Sequence, residues 1–123
     1  VQSEAAPAAY LTWKEGRVVE KPSRTLAEGL ATGVPFTLPQ VIMAESLSDF
    51  ILVSDDELLQ AMLWMIEKAH TLAEAAGAAP LAAAFRLREE LAGLKVGLVC
   101  SGGNTTPGQL RTALSRFGES NQL

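Results

Sequence analysis

The sequence is short of cysteine, of histidine and of positive charge. Cys100 is the single thiol, which excludes an internal disulfide framework and a structural zinc site of several thiolates. His70 is the single histidine and reads as a surface or capping residue near the end of a charged helix. Ten Lys plus Arg against fourteen Asp plus Glu leave a net charge of −4. That balance lacks the basic face a nucleic-acid binder uses to neutralise phosphates, and the polybasic cluster of a membrane-surface module. The longest strongly apolar stretch, Leu58 to Ile66, is far shorter than the roughly 20 residues a membrane span needs. No basic start followed by an apolar run and a small-residue cleavage site opens the chain, so no secretory signal is expected. A soluble cytoplasmic protein is the expectation, with no nucleic-acid or membrane partner.

What is present is 123 residues, 48% of them hydrophobic and 20% charged, the size and balance of one ordinary folded segment. The chain opens Val1-Gln2-Ser3-Glu4 without an initiator Met. This reads either as the tail of a strand whose beginning is missing or as a processed or tagged terminus. Residues 1–48 are irregular with short helices: a candidate over Ala8 to Lys14 stopped at Gly16, another over Thr25 to Leu30, and a third with Pro39 in its first turn, running to about Ala44.

Residues 49–118 predict a β-α-α-β-α core. Phe50-Ile51-Leu52-Val53 is a continuous apolar run, as in a parallel strand buried on both faces. Ser54-Asp55-Asp56-Glu57 has the form of a capping box, and Leu58, Leu59, Met62, Leu63 and Ile66 then recur at helical spacing. Gly77 and Pro80 predict an interruption, with a second helix carrying Leu81, Ala84, Phe85, Leu87 and Leu91 before Gly93. Lys95 to Cys100 is a second buried-strand candidate, which makes Cys100 inert packing. Thr106-Pro107-Gly108-Gln109 then caps a helix with Leu110, Ala113, Leu114 and Phe117 on one face, ended by Gly118. The class is α/β: a partial three-layer α/β/α arrangement around a small parallel sheet.

Ligands in such sheets gather beyond the carboxyl ends of strands, where Ser101-Gly102-Gly103-Asn104 falls. Glycines let backbone approach a ligand, and Ser101 adds a hydroxyl that donates and accepts. A tight turn without a ligand fits the same four residues. Glu74 lies in an otherwise uncharged tract of small residues. It is solvent-facing at a helix join or aimed into a pocket, and the rarity of buried Glu favours the first. Lys14, Lys21, Lys68 and Lys95 read as solvated, and Glu4 and Glu20 are weak candidates for a cation.

Together these pieces resemble the C-terminal part of a fold-type II pyridoxal-phosphate enzyme of the serine/threonine dehydratase family, up to about Leu114. Five ordered segments carry the resemblance. Glu4 to Ala8 is similar to the segment after a family strand, and Thr25-Leu26-Ala27-Glu28-Gly29 to a family turn. Ser48 to Glu57 is similar to the strand and helix start that follow, Glu74 to Ala79 to a small-residue helix start, and Ser101 to Asn104 to the family's Ser-Gly-Gly-Asn turn.

The resemblance implies roles. Ser101, next to Gly102, hydrogen-bonds the pyridine nitrogen of the cofactor, and Glu74 joins the hydrogen-bond network near the ring. A neutral hydroxyl does not hold that nitrogen protonated, which leaves a milder electron sink, adequate for loss of a β-hydroxyl. Glu4 and the carbonyl of Ala8 match two ligands of a divalent or monovalent cation in some relatives, while Tyr10 stands where a third, acidic ligand is usual. The family's lysine that carries the cofactor lies far upstream in an aromatic-Lys-x-Arg-Gly context, which none of the four lysines here has. The phosphate-cradling Gly-rich loop is likewise upstream. No catalytic residue is therefore expected in this chain.

The implied parent reaction is elimination of water from a hydroxy amino acid, giving ammonia and a 2-oxo acid. The chain alone is expected to be inactive and to hold no cofactor. A racemase or hydroxyaspartate dehydratase on the same scaffold is the near alternative. A standalone regulatory or subunit-interaction module is the alternative outside enzymes. Because two strands leave open edges, the chain is expected to pair with a missing N-terminal segment or to self-associate.

Overall fold

The computed structural model describes residues 1–118 and divides them into two compact units, Val1–Asp55 and a second that begins at Asp56. The first unit contains strand β1 (Gln2–Ser3), helix α1 (Ala8–Glu15), a 3-10 turn (Glu28–Leu30), helix α2 (Thr37–Ser46) and strand β2 (Leu52–Val53). β1 and β2 pair in parallel with Gln2 opposite Leu52 and Ser3 opposite Val53. The Gln2 amide donates to the Ile51 carbonyl at 2.9 Å and the Glu4 amide to the Val53 carbonyl at 2.8 Å. Gln2 and Ser3 thus form a buried strand.

α1 ends where the glycine predicts. Gly16 takes a left-handed φ of 66° and donates its amide to the Thr12 carbonyl at 2.9 Å. A side chain is strained in that conformation, so glycine stops the helix at little cost. Phe50 is buried, with the rings of Tyr10 and Trp13 each 5.8 Å away between centroids. The Trp13 indole N–H donates to the Met43 carbonyl at 3.3 Å and the Gln40 amide to the Ala9 carbonyl at 3.1 Å, fixing α2 on α1.

Asp55 gathers the first unit. Its Oδ1 accepts from the Ser3 hydroxyl at 2.8 Å and the Thr25 hydroxyl at 2.6 Å. Its Oδ2 accepts from the Leu26 amide at 2.9 Å. Residues read separately in sequence as a strand, a turn and a helix start therefore meet on one carboxylate. Bonds to a charged acceptor contribute more than neutral ones, about 1.5–3 kcal/mol each.

The second unit is helical: α3 (Asp55–Ala69, whose first residue closes the preceding unit), α4 (Ala75–Arg86) and α5 (Pro107–Phe117). Leu58, Leu59, Met62 and Leu63 are buried along α3 and Ile66 is half-buried, close to the expected stripe. Each such side chain contributes about 1.5–3 kcal/mol of burial. Trp64 of α3 stacks at a tilt on Phe85 of α4, 4.4 Å between centroids. Glu57 and Arg86 form a two-point ion pair at 2.6 and 2.8 Å. His70 is exposed with a φ of 51° just past the end of α3, in keeping with a capping position. α5 begins with the full box: the Gln109 amide donates to the Thr106 hydroxyl at 3.2 Å, and the Thr106 amide to Gln109 Oε1 at 3.3 Å.

Three expectations are corrected. The segment Lys95–Cys100 forms no strand: it runs without regular structure, with Val96, Leu98 and Val99 exposed. Its apolar composition fits a strand, but no partner among the described residues offers backbone groups to pair with. Cys100 is accordingly exposed rather than packed. Gly77 and Pro80 do not interrupt a helix but lie inside α4, which ends at Arg86, short of Leu91. Proline in a helix costs about 3 kcal/mol. The buried Ala78, Ala79, Ala82 and Ala83 around it return a comparable amount, at about 0.8 kcal/mol per methyl. The parallel sheet survives these corrections, with β1 in the place given to Lys95–Cys100.

Candidate functional site

The Ser101–Asn104 turn and the start of α4 meet inside the second unit, although 27 residues separate Glu74 from Ser101 in sequence. The backbone does the joining. The amide of Glu74, the residue that caps α4, donates to the Gly102 carbonyl at 3.1 Å. Glycine is required on both sides of this contact. A Cβ on Gly77 would stand 2.3 Å from the Gly102 carbonyl oxygen, and one on Gly103 would stand 2.6 Å from that of Leu72. A Cβ on Gly102 would stand 2.1 Å from Glu74 Oε1, so the carboxylate lies directly over the bare backbone of the turn.

Glu74 is half-buried, with its carboxylate against the turn. Its position at the N-terminus of α4 also suits a negative charge, because the first-turn amides point toward it. Ser101 is exposed, and its hydroxyl makes no hydrogen bond among the described residues. Beyond the turn, the Thr105 amide donates to the Gly103 carbonyl at 2.8 Å before the Thr106 cap opens α5. A free hydroxyl, a carboxylate and the two glycines of the turn therefore lie in one short stretch, with Gly77 buried against it. Such an arrangement can present one neutral donor to a planar ring and hold an acid beside it.

Sequence reasoning found Ser101, Gly102 and Glu74 but missed Gly77, taken as a helix breaker. The available signal was a glycine amid alanines three residues after the only acid of the tract, a pattern that marks close backbone approach as well as interruption.

The other candidates lie elsewhere. Glu4 is exposed just after β1, and Ala8 is buried in the first turn of α1. Tyr10 donates its amide to Gln2 Oε1 at 3.0 Å, and its phenol oxygen accepts from Lys14 at 3.3 Å. Among the described residues no three His, Cys, Asp or Glu cluster to hold a metal ion. All four lysines are exposed, with Lys68 paired to Glu67 at 2.8 Å. Among the described residues, no helix is long and apolar enough to cross a membrane.

The sequence pattern of the family described as pyridoxal-phosphate dependent enzymes matches residues 1–102. The chain belongs to that family. It is 36% identical over 106 residues to an L-threonine ammonia-lyase of Geobacter sulfurreducens, matching 85% of this chain and 26% of that one. It is 30% identical over 116 residues to an L-threo-3-hydroxyaspartate ammonia-lyase of Saccharomyces cerevisiae, matching 94% of this chain and 36% of that one. Among solved structures, maize serine racemase superposes with a TM-score of 0.78 at 25% identity, covering 94% of this chain and 38% of that one. The chain thus spans between about a quarter and two fifths of these relatives. The fold-type II scaffold expected from the sequence is the one the pyridoxal-phosphate relatives share, and the two-strand parallel sheet with its helices is a part of it.

Proposed function

We propose that this chain forms the C-terminal part of the cofactor site of an ammonia-lyase that removes water from a hydroxy amino acid, yielding ammonia and a 2-oxo acid. The observation that carries the reading is the meeting of Glu74 with the Ser101–Gly102 turn. These residues fit the pyridine end of pyridoxal phosphate. The Ser101 hydroxyl is exposed and uncommitted, and a neutral donor of that kind suits an unprotonated ring nitrogen. Gly102, with Glu74 Oε1 over its bare backbone, would keep side-chain bulk away from the ring, and Glu74 would serve as a hydrogen-bond acceptor there. When bound, the cofactor supplies the electron sink that eases loss of the α-proton and then of the β-hydroxyl.

In this reading the chain contributes orientation and electronic tuning, and the proton-transferring lysine comes from outside it. The sequence around Lys14, Lys21, Lys68 and Lys95 supports that division, because none has the aromatic-Lys-x-Arg-Gly context of the family's cofactor lysine. The likeness to maize serine racemase supports a second reading, in which the same ring contact serves inversion at the α-carbon.

The test compares the isolated chain with a longer polypeptide carrying the family's upstream lysine and Gly-rich loop. The isolated chain is expected to show no visible absorbance of lysine-bound pyridoxal phosphate and no ammonia release from serine or threonine. The longer polypeptide is expected to show both, and Ser101→Ala is expected to weaken its cofactor binding. Ammonia release by the isolated chain refutes the division of labour. Unchanged cofactor binding in Ser101→Ala refutes the ring contact. Inversion of L-serine without ammonia selects the racemase, and a longer polypeptide inert toward every substrate selects the non-enzymatic module.

A further inference from the structure

The three helices of the second unit leave a cleft between them. Its volume is about 430 Å³, at the small end of the range for ligand sites. The walls are aromatic and apolar: Trp64 of α3, Ala82 and Phe85 of α4, and Phe117 of α5. The cleft borders the C-terminal half of α4, whereas Glu74 and Gly77 meet the Ser101–Asn104 turn at the other end of that helix.

The charges lining the cleft do not cancel. Glu57 and Arg86 pair with each other, and Asp56 pairs with Arg116 of α5. Arg88 meets no acid among the described residues. It donates from Nη1 to the Phe85 carbonyl at 3.2 Å, and its guanidinium lies 4.9 Å from the centre of the Phe85 ring. Ring and carbonyl hold the guanidinium at the edge of the cleft and leave most of its donors uncommitted. The Trp64 indole N–H is a second donor on these walls, buried and without a hydrogen-bond partner. An unpaired buried donor is costly, and an arriving acceptor is the group it lacks.

We propose that this cleft binds a small aromatic carboxylate that carries no ammonium group. The Arg88 fork takes the carboxylate in a two-point contact, as a guanidinium does best. The flat body lies among Trp64, Phe85 and Phe117, where three rings favour an aromatic ligand over an aliphatic one. An amino acid is disfavoured, because its ammonium group finds Asp56 and Glu57 already paired and meets the positive charge of Arg88. The proposal uses nothing of the cofactor reading, and either can fail without the other.

Calorimetric titration with hydrocinnamate is the test, made on the full chain and on the longer polypeptide described above, with circular dichroism confirming that each variant keeps its helix content. One saturable site is expected, with a Kd of about 0.1–1 mM, ordinary for so small a ligand. Arg88→Gln is expected to weaken binding at least about tenfold. Arg88→Lys is expected to weaken it roughly three- to tenfold, since the charge stays and the fork is lost. Phe117→Ala is expected to weaken it by a similar factor, roughly three- to tenfold. Hydrocinnamide, which lacks the charge, and L-phenylalanine, which adds an ammonium group to the same skeleton, are each expected to bind at least about tenfold more weakly. Arg17→Gln, in the other unit, is expected to change nothing. No saturable binding in either polypeptide overturns the proposal. So does binding unmoved by Arg88→Gln, or lost in Arg17→Gln, or L-phenylalanine held as tightly as hydrocinnamate.

Discussion

Replacing Gly77 by alanine sets two well-sized effects against each other. Inside a helix the change should help, because alanine is favoured over glycine by about 0.8–1.0 kcal/mol. Here the new methyl would begin 2.3 Å from the Gly102 carbonyl oxygen, 3.1 Å from the Gly102 nitrogen and 3.3 Å from the Gly102 carbonyl carbon. These are backbone atoms, so no side chain can swing aside. The turn must retreat by roughly 0.7 Å or more to reach even a tight contact. Forced repacking of this kind costs about 1–3 kcal/mol. The retreat also stretches the 3.1 Å bond from the Glu74 amide, worth about 0.5–1.5 kcal/mol. The clash wins, with a net loss of about 1–3 kcal/mol. Urea unfolding followed by circular dichroism reads it directly, and thermal unfolding should fall by roughly 5–10 °C. Gly97→Ala is the control, since nothing lies within 4 Å of its Cβ position. Gly102→Ala should cost less, because the atom it meets, Glu74 Oε1, ends a flexible side chain. A Gly77→Ala chain with a raised unfolding midpoint would falsify the close approach on which the site rests.

Three further predictions use the same unfolding assay or cofactor titration. Asp55→Ala removes the acceptor of three hydrogen bonds and strands the hydroxyl of buried Ser3; a loss of about 2–4 kcal/mol is expected, and a loss below about 1 kcal/mol contradicts its place as a shared anchor. Thr106→Ala deletes half of the α5 box and should cost about 1 kcal/mol, with faster amide exchange confined to the first turn as its signature. In a polypeptide that binds the cofactor, Ser101→Ala should weaken binding about five- to tenfold, the worth of one hydrogen bond, whereas Ser101→Thr should keep most of it.

Helix ends were legible because their signals are local. Gly16 stops α1, Pro39 falls in the first turn of α2, and Thr106 with Gln109 starts α5, each decided by a few neighbouring residues. Strand pairing was not, because it depends on a partner far away in sequence. Gln2 and Ser3 find theirs 50 residues later, while Lys95–Cys100 has strand-like composition and no partner among the described residues. Pro80 misled for a related reason: its cost is local, and the burial that offsets it is tertiary. Ser101, Gly102 and Glu74 could be named from their motifs. That Gly77 is the residue letting them meet could not, since only the packed backbone reveals the distance.

Cys100 turns this geometry into a measuring device. It is the only thiol in the chain, it is exposed, and it immediately precedes Ser101. A thiol-directed fluorophore therefore attaches at one position without background labelling. Anything that settles on the neighbouring turn, whether cofactor or completing polypeptide, should slow that attachment. The protein thus carries its own reporter for occupancy, readable in real time before any turnover assay exists.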